Sequence, residues 1–125
     1  MTKQILIVDD DIGIRKITQI TLQTIAGWDV LAAPSGQEGL AIAESVQPDV
    51  ILLDMMMPGM DGLTTLKHLK SNPKTQAIPV IFLTAKVQIS EQPEFSSLPI
   101  LGIITKPFKA PNLVEQMRSL LNWHD

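Results

Sequence analysis

The chain has 125 residues, the length of one domain, with 45% apolar side chains and 18% charged, which suits a packed core and excludes a disordered segment. It has no cysteine, which excludes disulfide frameworks and thiolate metal sites, and no apolar run nears the roughly eighteen residues of a membrane helix. Thirteen acids against ten bases leave a formal charge of -3, which argues against direct nucleic-acid binding through neutralised phosphates.

Residues 5–8 form a continuous apolar run, the pattern of a parallel strand covered on both faces. Asp9, Asp10 and Asp11 follow it, with Asp11 placed to cap a helix over residues 12–26. A weaker strand at 30–33 leads into a second helix over 36–46. Pro48-Asp49 opens a strand at 50–53 that ends in Asp54, and Met55, Met56 and Met57 read as loop side chains packing beside it. After the Pro58-Gly59 turn, Asp61 caps a helix over 62–70; Pro79 then opens a strand at 80–83 that ends in Thr84. Residues 87–99 contain Pro93 and Pro99 and read as irregular, with space for about two helical turns at most. A last strand at 100–104, interrupted by Gly102, ends in Thr105 and Lys106, and Pro111 suits the first turn of a last helix read over 112–123. Trp28 and Trp123 read as packing residues, His68 and His124 as solvated.

Strand and helix alternate throughout, which predicts an α/β fold: one doubly wound five-stranded parallel sheet with right-handed crossovers and helices on both faces. The expectation is a single soluble, cytoplasmic domain over residues 1–125, with no leader or membrane segment. In a parallel sheet all strand C-termini share one edge, so the polar residues that end the strands converge. With the flavodoxin-like order 2-1-3-4-5, the first and third strands are neighbours and crowd Asp9, Asp10 and Asp54 together. Crowded carboxylates invite a hard cation, and Mg²⁺ is the natural candidate because it takes oxygen ligands. Lys106 adds a point charge and Thr84 a hydroxyl, both suited to phosphoryl oxygens. Together these residues predict a phosphotransfer site in which a carboxylate acts as nucleophile. Each alone has a plainer reading as a cap or strand end; the matching chemistry at several strand ends favours the joint one.

The chain resembles the receiver domain of two-component response regulators, the CheY-like fold, over essentially its full length. The resemblance is carried by Ile5-Leu6-Ile7-Val8-Asp9-Asp10, by Pro48 through Asp54 with Met57-Pro58-Gly59-Met60-Asp61-Gly62, by Leu83-Thr84-Ala85 and by Lys106-Pro107-Phe108. It implies that Asp54 accepts a phosphoryl group from a sensor histidine kinase, a phosphotransfer protein or a small phosphodonor. Asp9, Asp10, Asp54 and the backbone carbonyl of Met56 would hold Mg²⁺, Thr84 would bind a phosphoryl oxygen and Lys106 would pair with the group. It also implies a cis Lys106-Pro107 bond, an unidentified downstream protein target, no catalytic turnover beyond self-phosphorylation and slow self-dephosphorylation, and it leaves homodimerisation open.

Two positions depart from the pattern: Ile103 stands where receivers often carry an aromatic relay residue, and Pro99 where a glycine is common. The expectation is that Thr84 still moves toward the phosphoryl group while Ile103 and residues 87–99 repack. Three rival readings compete with this one. A haloacid dehalogenase-like phosphohydrolase needs an acidic pair after its lysine, where this chain has only Glu115 and Asp125. A flavodoxin needs a phosphate-cradling hydroxyl and glycine loop where this chain has three aspartates. The third is a receiver-fold interaction module that is never phosphorylated.

Overall fold

The computed structural model describes residues 2–84 and 98–124. Its elements run β1 (Gln4–Val8), α1 (Ile12–Thr21), β2 (Asp29–Ala33), α2 (Gly36–Val46), β3 (Val50–Asp54), α3 (Gly62–Ser71), β4 (Val80–Thr84), β5 (Gly102–Thr105) and α4 (Ala110–Leu121). All four strand pairings are parallel and the order is β2-β1-β3-β4-β5, the predicted doubly wound sheet.

Successive strand side chains point to opposite faces, so each apolar run feeds two core layers. Leu6, Val8, Ile51, Leu53, Val80 and Phe82 pack on one face with Ala43 of α2 and Leu66 and Leu69 of α3. Ile5, Ile7, Val50, Leu52, Ile81, Leu83 and Ile104 pack on the other with Leu22, Trp28 and Leu113, Val114 and Met117 of α4. Trp28 and Trp123 meet edge to face with ring centroids 5.2 Å apart, packing as expected, while His68 and His124 are exposed.

Asp11 caps α1 by accepting from the N–H groups of Gly13 and Ile14, and Asp61 caps α3 through Thr64. The helix expected over 12–26 ends differently: α-helix stops at Thr21, and a π-helical turn at Leu22–Ala26 closes on Gly27 in the left-handed region, at φ 71°. The last strand also starts later than residue 100, because the Ile100 N–H closes a turn onto Leu98 O and ladder pairing of strand residues begins at Gly102. The last helix begins earlier, at Ala110 with Pro111 in its first turn, and ends at Leu121 where Asn122 turns left-handed. Apart from Leu98 and Pro99, the expected irregular segment lies outside the described residues. No helix among the described residues is long and apolar enough to cross a membrane.

Candidate functional site

Register brings the strand ends together. Val8 pairs with Leu53, so Asp9, one residue on, lies beside Asp54; Asp54 pairs with Leu83, and Thr84 with Thr105. Asp9, Asp10 and Asp54 each present a carboxylate oxygen within 4.8 Å of the others, although Asp54 lies more than forty positions from the other two.

Asp9 and Asp54 are buried, Asp10 exposed. One Asp9 oxygen accepts from the Asp11 N–H at 2.9 Å, and the other accepts from Lys106 Nζ at 2.8 Å. The same ammonium lies 3.4 Å from Asp54 Oδ1, which also accepts from the Met56 N–H at 3.2 Å. Lys106 therefore bridges the two buried acids. Burial pushes the Asp54 carboxyl up from 3.8 to about 6, with the Asp9 charge adding to the rise and Lys106 and the Met56 N–H opposing it. Burial alone would lower the Lys106 pKa, but its hydrogen bond to Asp9 and the two carboxylate charges outweigh this and raise it.

Thr84 is fully buried at the end of β4, and its carbonyl accepts from the Lys106 N–H at 2.8 Å. Lys106-Pro107 is cis. Of the three consecutive methionines, Met55 and Met57 are buried beside the site and Met56 points its side chain to solvent. Close beneath them, the Gly62 N–H donates to Met55 O at 3.0 Å, which sets α3 directly against the end of β3.

One residue that sequence reasoning did not single out belongs to this neighbourhood. Arg15, one turn into α1, donates from Nη1 to the Asp9 carbonyl at 2.8 Å. Its position four residues after the Asp11 cap is the available signal, since that places it over the strand end that feeds the helix.

A doubly wound sheet that gathers buried acids and a lysine at its C-terminal edge is the architecture of a receiver-type signalling domain. The chain belongs to the response regulator receiver domain family, whose profile matches residues 5–118. It is 38% identical over 122 residues to the DNA-binding dual master transcriptional regulator RpaA of Synechocystis sp., covering 98% of this chain and 50% of that protein. It is 37% identical to the phosphate regulon transcriptional regulatory protein PhoB of Pseudomonas aeruginosa, covering 95% of this chain and 52% of that protein. The chain thus spans about half the length of these relatives. Among solved structures, the chemotaxis protein CheY4 of Vibrio cholerae superposes with a TM-score of 0.88 at 31% identity, covering 96% of this chain and 99% of that one.

Proposed function

We propose that Asp54 is the phosphoacceptor of this receiver and that Asp9 and Asp10 hold Mg²⁺ with it, assisted by the backbone carbonyl of Met56. The observation that carries this reading is the convergence of three carboxylates within 4.8 Å around a lysine ammonium that touches the two buried ones. The donor set fits: it is all oxygen, and desolvated, mutually repelling carboxylates gain from a divalent cation. When bound, Mg²⁺ would supply positive charge to the phosphoryl oxygens at Asp54.

In the transfer, an Asp54 carboxylate oxygen attacks the phosphorus of a phosphohistidine. The P–N bond breaks, its electron pair returns to the imidazole nitrogen, which takes up a proton, and an acyl phosphate forms on Asp54. Lys106 pairs with the transferred group, and the Thr84 hydroxyl donates to one of its oxygens. The donor is a sensor histidine kinase or a phosphotransfer protein, the domain works in the cytoplasm, and its state is read by a protein surface. Where the relatives are named as transcriptional regulators, DNA contact would belong to the half of those proteins that this chain does not match; the domain itself makes none.

Intact mass after incubation with Mg²⁺ and acetyl phosphate tests the reading. Wild type should gain one phosphoryl group and Asp54→Ala none. A gain that survives Asp54→Ala would place the nucleophile elsewhere and favour the phosphohydrolase reading. No gain in wild type would favour an unphosphorylated interaction module.

A further inference from the structure

Three carboxylates can share a cation only if the exposed one is held on station. Asp9 and Asp54 are fixed by burial and by Lys106, but Asp10 is exposed and its carboxylate receives no hydrogen bond from the described residues. Its placement therefore depends on the backbone that carries it. The peptide joining Asp9 to Asp10 has the Asp9 carbonyl on one side, and that oxygen is the one Arg15 Nη1 grips at 2.8 Å. Gripping it fixes the plane of the peptide and with it the direction of the Asp10 Cα–Cβ bond. The N–H on the far side of Asp10, that of Asp11, is tied to Asp9 Oδ1 at 2.9 Å, so the residue is held at both ends.

The choice of partner is informative. Three aspartates lie at this turn, yet Arg15 forms no ion pair within 4 Å among the described residues and spends its short contact on a neutral carbonyl. A guanidinium that served to balance charge would gain more from a carboxylate.

We infer that Arg15 is a positioning residue for the metal: by holding the Asp9–Asp10 peptide it presents Asp10 to the cation that Asp9 and Asp54 share. This rests on the Mg²⁺ reading above and adds a residue to it. Groups that orient ligands from behind typically change metal affinity by about 10- to 100-fold when removed. The inference also fixes a sign. A cation near a cation site repels the metal, so if Arg15 acted only through its charge, removing it would tighten Mg²⁺ binding.

The test is Mg²⁺ affinity by calorimetric titration of wild type, Arg15→Met and Arg15→Lys, with the thermal midpoint of each metal-free protein recorded alongside. Arg15→Met keeps the apolar stem and loses the donor; it should bind Mg²⁺ about tenfold more weakly while its metal-free midpoint stays near wild type. Arg15→Lys, which keeps one donor group and the charge, should recover part of the loss. Unchanged or tighter binding by Arg15→Met overturns the inference. Should Arg15→Met fail to fold, Arg15→Lys decides alone: binding weaker than wild type at equal charge supports positioning, and binding equal to wild type overturns it. Wild type that takes up no Mg²⁺ would instead overturn the metal reading itself.

Discussion

Asp54 is a buried carboxylate whose folded state holds its proton to about pH 6, well above its ordinary value of 3.8. Folding therefore favours the protonated acid. The stability this carboxyl contributes is fully present below about pH 4, falls as pH rises toward 6 and is absent above that. Asp54→Asn removes the charge and keeps the shape, so it should raise the thermal midpoint of the metal-free protein at pH 8. A shift of this size corresponds to roughly 1 to 3 kcal/mol, with Lys106 losing a partner in the variant and pulling the figure down. The gain should vanish by pH 4, and thermal melts at both pH values check it; a variant no more stable than wild type at pH 8 would contradict it. Next to it, Met56 places an exposed thioether where a polar side chain could orient water toward the acyl phosphate. Under the proposed function Met56→Asn should shorten the phosphoryl lifetime severalfold, measured as loss of the mass increment after the donor is removed. An unchanged decay rate would show that the side chain does not control water access.

At the scale of elements, the site depends on how closely α3 meets β3. A Cβ built on Gly62 would lie 2.6 Å from Asp54 O and 2.7 Å from Met55 Cα, both backbone atoms that no rotamer change can move. Alanine in a helix is otherwise better than glycine by about 1 kcal/mol, so the two effects oppose each other and the clash should win. Gly62→Ala is expected to destabilise the domain by about 1 to 3 kcal/mol in denaturant melts. A stabilised variant would mean that α3 can slide away from the strand end at no cost. Elements also show what the sequence discloses and what it hides. The strands were legible because unbroken Val and Ile runs have few alternatives in a short alternating chain, and the parallel topology then gathers their polar ends without further information. Helix α1 was legible as a helix but not in its orientation: Ile12, Ile17 and Ile20 are more than half exposed, while Thr18 and Thr21 are buried. Its apolar side chains do not all report the core because the inner positions take small, compact residues. Arg15 stayed hidden for a related reason, since its partner is a backbone carbonyl and leaves no trace in side-chain pattern.

For the molecule as a whole, the question is how a change at Asp54 reaches a surface when Ile103 stands in place of an aromatic relay. Lys106 sits 2.8 Å from Asp9 and 3.4 Å from Asp54, closer to the acid that is not the proposed acceptor. A phosphoryl group would add between one and two negative charges on the Asp54 side, and the ammonium should follow them. It cannot move alone, because the Lys106 N–H is bonded to Thr84 O, and Thr84 ends β4 while Lys106 directly follows the end of the paired strand β5. Thr84 and Lys106 thus form one mechanical unit across β4 and β5. Three residues before Lys106, Ile103 is in register with Phe82 and packs, with Leu98 and Ile100, against the core layer shared by α2 and α3. A shift of the strand ends would be felt there as repacking of aliphatic side chains, with no ring needing to turn. Backbone amide shifts in the presence of Mg²⁺, with and without beryllofluoride as a phosphoryl mimic, discriminate the cases. The expected result is movement at residues 9–11 and 54–57 that continues through 80–84 and 98–106. Changes confined to the first two stretches would mean that the strands stay still and that β4 and β5 do not carry the signal to the surface.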